Sequence, residues 1–171
     1  MFDPLVSLWQ FGDARHAVLI VGLALTVWAA ATDLRHFTIP NKICAALFAA
    51  GAFWILVSGA DTGAHLAAFA CVLALGFGAY AFQFFGAGDA KLLAVLALWT
   101  GPQIAVALVL QTLIFGAILA FAWVLSRPVR TVLMAAGLPV DPEPPAQIPY
   151  GVAIAAAACF AFAGLWPPLG G

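Results

Sequence analysis

The chain has 171 residues, 65% of them hydrophobic and 8% charged, with a formal net charge of −1. A soluble domain carries roughly 25% charged residues, so a soluble enzyme is excluded and an integral membrane protein is expected. Six basic residues cannot build a phosphate-tracking surface, which excludes a nucleic-acid partner.

In chain order, Met1 to His16 reads as a short amphipathic lead whose Leu5, Leu8, Trp9 and Phe11 suit the bilayer interface. Its acidic Asp3 and Asp13 stand where a signal peptide would be basic, so the first apolar run is expected to stay in the mature protein. Ala17 to Ala31 forms the first span, continuing through Thr32 and Asp33 to His36. Pro40 forces the residue before it out of the helical region and marks a boundary. A second span follows from Ile43 to Ser58, closed by Gly59, Asp61 and Gly63, and a third from Ala64 to Phe85.

The run from Ala90 to Leu125 would be about 54 Å long as one helix, against an apolar bilayer core of roughly 30 Å. Thr100-Gly101-Pro102 divides it into a short fourth span, Ala90 to Trp99, and a fifth, Gln103 to Leu125. Residues 126–147 are the one extended polar segment, with Arg127, Arg130, Asp141, Glu143 and prolines at 139, 142, 144 and 145, and are expected to form a cytoplasmic loop. Ile148 to Trp166 is the sixth span, with Pro149 in its first turn and Pro167-Pro168 as its stop.

Charge orients this count. With six spans and the N-terminus outside, Arg35, Lys42, Lys91, Arg127 and Arg130 face the cytoplasm and only Arg15 lies outside, as the positive-inside rule requires. The expected fold is therefore an all-α integral membrane protein of six transmembrane helices, a single membrane-embedded domain over 1–171. Cys44, Cys71 and Cys159 sit singly in apolar runs and read as buried small hydrophobes. His16, His36 and His65 are dispersed and form no metal set.

Asp33 ends one span and Asp89 begins another on the same side of the membrane. Two such carboxylates can approach and share a proton, because like charges a few Å apart do not both ionise easily. An acid and a base then coexist, which is the equipment for activating water against an amide carbonyl. Spacing alone leaves open a pair of unrelated boundary aspartates.

The surrounding residues narrow the choice. Asp33-Leu34-Arg35-His36-Phe37-Thr38-Ile39-Pro40-Asn41 resembles the Asp-x-Arg-x-x-x-Ile-Pro-Asn segment of type IV prepilin peptidases, which are membrane aspartic proteases. Gly86-Ala87-Gly88-Asp89-Ala90-Lys91-Leu92 is similar to their Gly-x-Gly-Asp-x-Lys-Leu segment, and Ile148-Pro149-Tyr150-Gly151 to a third recurring stretch at the last span. The resemblance implies that Asp33 and Asp89 are the catalytic pair, that neither metal nor cofactor is needed, and that the substrate is a prepilin, a basic leader followed by an apolar helix. It further implies residence in the bacterial inner membrane as a multi-pass protein beside the pilus assembly machinery. Only Pro40 and Asn41 separate the first motif from the next span, so the cytoplasmic insertion of larger members is missing. The compact form resembles the peptidases of tight-adherence (Flp) pili, with archaeal preflagellin peptidases as the related alternative. No nucleotide fingerprint accompanies it, so no methyltransferase activity is expected.

The other motif residues keep two readings each. Arg35 and Lys42 either anchor span ends at anionic lipid or tune Asp33. Lys91, two positions from Asp89, diverges from it on a helix and is expected to snorkel. Gly86 and Gly88 serve backbone geometry near the substrate or simple helix packing. Pro149, Tyr150 and Gly151 line a substrate groove or merely start a helix. Outside this family, a presenilin-type protease matches only Gly86 to Asp89, and a small proton-coupled transporter would use the aspartates as a relay.

Overall fold

A computed structural model describes residues 4–84, 86–137, 139 and 148–165, with side chains from Arg15 onward. The described residues form five helices: α1 (Pro4–His36), α2 (Asn41–Ser58), α3 (Thr62–Ala81), α4 (Ala87–Ala135) and α5 (Tyr150–Leu165). Arg15–His36, α2, α3 and α4 are each long and apolar enough to cross a membrane, while α5 is a shorter apolar helix. The chain is a multi-pass, all-α membrane protein. The expectations for Leu5, Leu8, Trp9 and Phe11, for 140–147 and for Pro167-Pro168 fall outside the described side chains or residues.

Local chemistry sets the boundaries. Phe37 turns left-handed (φ 52°) after α1, Pro40 stays extended, and α2 starts at Asn41. Gly59 closes α2 in the left-handed region, its N–H bonded to the Ile55 carbonyl. Asp61 caps α3 by accepting the N–H groups of Gly63 (2.9 Å) and Ala64 (3.3 Å). α3 ends at Ala81, short of the expected Phe85, because Gln83 takes a left-handed conformation (φ 61°).

α4 is broken where the sequence suggests. Gly101 adopts φ 65°, ψ 178°, a conformation open only to glycine, and Pro102 has no N–H to bridge the gap. The arm 87–100 is buried from Leu92 to its end, as a helix apolar on all sides should be; it spans about 21 Å. The second arm does not stop at Leu125. It continues through Pro128 to Ala135, so the first half of the expected 126–147 loop is helix. Its Val129, Val132 and Met134 present an exposed apolar face.

The rods run in alternating directions. Arg15 of α1 donates to the Val57 and Ser58 carbonyls at the end of α2, whereas Lys91 at the start of α4 reaches Asn41 at the start of α2. In the core, Trp99 is fully buried, its indole N–H on the Leu47 carbonyl at 3.0 Å and its ring against Trp54 and Phe162. Cys44 is buried as expected, but Cys71 and Cys159 are exposed on the helix surface. An apolar run has a lipid face as well as a core face, and hydropathy does not separate them.

Candidate functional site

One end of the bundle collects the end of α1, the starts of α2, α4 and α5, and the end of α3. There Asp33 and Asp89 line a cleft of about 470 Å³. A second recess of about 210 Å³ lies against the same two carboxylates, towards Ile39 and Gly88. Asp33, Phe37, Gly86 and Asp89 are shared by both, so the acid pair stands on the ridge between two openings.

Each carboxylate is held by one backbone amide. Asp33, 6% exposed, accepts the Gly151 N–H at Oδ2 over 2.8 Å. That contact requires glycine: a Cβ on residue 151 would lie 2.9 Å from both Cβ and Oδ2 of Asp33. Asp89, at the third position of α4, reaches back to the N-cap and accepts the Gly86 N–H at 3.2 Å, one half of a capping box. Its other oxygen, Oδ1, is buried and has no hydrogen-bond partner among the described residues. The pair thus keeps fixed positions while leaving acceptor capacity in the cleft.

The remaining motif residues brace this arrangement. The Lys91 ammonium donates to Asn41 Oδ1 at 3.1 Å, joining the first two motifs across the surface instead of reaching the acids. Gly88 lets Ile39 pack close, with 3.2 Å from a Cβ position to the Ile39 Cβ. Tyr150 lines the cleft, its ring seated on Gly116, where a Cβ would come within 2.8 Å. Pro149 stands one residue ahead of α5, and Pro40 one ahead of α2. Arg35 and Lys42 are exposed and line neither recess.

Four wall residues lie outside the motifs, Tyr80, Gln83, Phe84 and Trp123, and two lie within them at positions given no role, Phe37 and Ile148. Tyr80 and Gln83 are the polar residues that finish an otherwise apolar run, a signal legible in the sequence. Trp123 carries the Arg127 guanidinium over its ring at 4.6 Å, which only the helical continuation past Leu125 makes possible. Phe37 and Gln83 both hold left-handed backbones, and such residues cost about 1–3 kcal/mol each and cluster at functional sites.

Compared with known families, the chain matches the type IV leader peptidase family over residues 20–121. That segment includes Asp33 and Asp89 and ends just before Trp123. No curated protein and no solved structure matches it.

Proposed function

Because the chain belongs to the type IV leader peptidase family, we propose that it is an aspartic endopeptidase removing the leader from Flp-like type IV prepilins. The observation that carries this reading is the meeting of Asp33 and Asp89, from separate motifs, in one cleft at one end of the bundle. The two carboxylates share a proton. A water held between them is deprotonated as it attacks the scissile carbonyl, the neutral carboxyl donates a hydrogen bond to the developing oxyanion, and the amine leaves protonated. The Gly151 and Gly86 amides hold one oxygen of each acid, so the approach geometry is set before substrate arrives.

The cleft faces the cytoplasm of a bacterial inner membrane, with six passes and the N-terminus outside. Arg15 lies at the opposite end from Arg35, Lys42 and Lys91, which supports that orientation. A leader kept in the cytoplasm by its basic residues therefore presents its junction at the cleft. The direct α1–α2 turn over residues 37–40 supports the compact, Flp-type class and a peptidase that does not methylate. Pilin matured by this protein alone should show an unmethylated N-terminus by mass spectrometry, and a methyl group dependent on it would refute that part.

The test of the reaction is co-expression with a candidate prepilin and a gel-shift assay of membranes. Asp33→Asn and Asp89→Asn keep side-chain size but remove the acid–base function, so each should abolish processing while the protein still accumulates on a blot. Full processing by either variant would overturn the aspartic mechanism.

A further inference from the structure

A separate apolar opening begins one residue from the cleft, at Ala79 beside Tyr80 and Ala90 beside Asp89. α3 and both arms of α4 enclose an apolar recess of about 160 Å³ whose walls include Gly76, Ala79, Ala90 and Thr112. Val72, Leu75 and Val109 are shared with a wider recess of about 460 Å³ extending towards Ala64 and Pro102. The two make one groove along the helices. From Ala64 to Ala79, α3 rises about 22 Å, most of the depth of a ~30 Å bilayer core.

Each helix that lines the groove also supplies a residue of the cleft. Ala79 precedes Tyr80 on α3, Ala90 follows Asp89 on the first arm of α4, and the second arm runs on to Trp123. The wider part is floored by small residues, Ala67, Ala68, Cys71 and Ala105, which allow another helix to approach closely. The bulky, exposed Leu75, Val106 and Leu110 line the same recess beside these small residues.

Thr112 supplies an independent sign. It is 1% exposed and lines the groove, yet its hydroxyl has no partner among the described residues. A helical threonine ordinarily returns its hydroxyl to the preceding turn, as Thr26 does to the Gly22 carbonyl at 2.8 Å. A buried hydroxyl left open costs stability and marks where a ligand's polar group belongs.

We propose that this groove seats the apolar helix of the prepilin, so that the start of that helix, joined to the leader, enters the cleft between Asp33 and Asp89. The proposal rests on the leader-peptidase reading and names where its substrate lies. A lipid chain would match the apolar walls but offers nothing to Thr112. A substrate helix does, through an unpaired backbone N–H or a side-chain hydroxyl in its first turns, which the Thr112 oxygen can accept. The mode is a helix laid in a groove, and it sets which bond reaches the acids by fixing the helix along its length.

Cys71 lies in the groove and is exposed, whereas Cys159 is exposed on α5, away from it. The test therefore uses the protein's own thiols. Prepilins with a single cysteine placed at successive positions of the apolar helix are expressed with the Asp33→Asn protein and oxidised in membranes. Disulfide adducts should recur every third or fourth position, disappear in Cys71→Ser and persist in Cys159→Ser. Absence of adducts, adducts that survive Cys71→Ser, or a Cys71–Cys71 pair between two copies would overturn the groove assignment. Protein with both aspartates intact is assayed on the same prepilins: if it cleaves them and the adducts are missing, only the groove falls. If it cleaves none, the peptidase reading falls with it.

Discussion

The two ends of the bundle are made from the same kinds of apolar helix and finished in opposite ways. Around Trp99, polar groups are consumed by the fold: the indole binds the Leu47 carbonyl, His65 donates through Nδ1 to the Leu98 carbonyl at 2.7 Å, and Arg15 caps the end of α2. Around Asp33 and Asp89, one carboxylate oxygen has no partner among the described residues, two residues hold left-handed backbones, and the walls open into recesses on both sides. One end is closed by complementary packing. The other is kept incomplete by backbone turns, and a substrate can complete it.

The largest expected contrast between the ends lies in their aspartates. Loss of processing in Asp33→Asn or Asp89→Asn should find no counterpart in Asp61→Asn at the closed end. Asp61 only accepts two backbone N–H groups at the start of α3, and asparagine caps a helix equally well. Processing by Asp61→Asn should match the unaltered protein in the same gel-shift assay. A defect there would break the division between the ends.

Trp99→Ala should reverse the pattern. The ring fills the space between Gly22, Gly51, Trp54 and Phe162, and removing such a buried aromatic costs about 3–5 kcal/mol. Thermal unfolding in detergent should show a large drop in midpoint, while the turnover of the protein that remains folded stays near normal. Equal loss of turnover per folded molecule would mean that the closed end also shapes the site.

Gly151→Ala is expected to act at the open end without unfolding it. The added methyl meets Asp33 at 2.9 Å, so the carboxylate or the start of α5 must shift. Misplacement of a reacting group by about 1 Å costs on the order of a hundredfold in rate. The fall should appear in kcat rather than in protein level. Unchanged kcat would show that the Gly151 amide does not set the position of Asp33.

Much of this contrast was legible in the sequence, and the rest was hidden for physical reasons. Pro40 and Gly101-Pro102 announced the helix breaks because they act on the backbone directly. The three motifs gathered at one end because alternating spans must return their ends to the same side. The continuation of α4 to Ala135 was not legible: Arg127, Pro128 and Arg130 read as a polar loop, and Val129, Val132 and Met134 are too few to outweigh them by hydropathy. Nor did the sequence show that Gly151 would meet Asp33, since a contact between the first and last helices has no local signature. The exposure of Cys71 and Cys159 escaped for a related reason, because a hydropathy scale gives lipid-facing and core-facing residues the same score.

The smallest expected effect falls on Gln83, and it separates a cost to the fold from a contribution to the site. The Phe84 N–H bonds the Ala79 carbonyl and the Gln83 N–H bonds the Tyr80 carbonyl. This is the paired closure in which the left-handed residue is usually glycine. Glutamine in that conformation costs about 1 kcal/mol relative to glycine, and its exposed side chain lines the cleft. Gln83→Gly should therefore stabilise the protein by about 1 kcal/mol, read as a small rise in thermal midpoint. The same change removes an amide from the wall the substrate meets, so KM for prepilin should rise several-fold. Stability and substrate binding would then move in opposite directions at one residue, as expected where strain is retained for a site. A variant that gains stability and keeps its KM would show that Gln83 merely tolerates the turn, and that the wall of the cleft is set by Tyr80 and Trp123 without it.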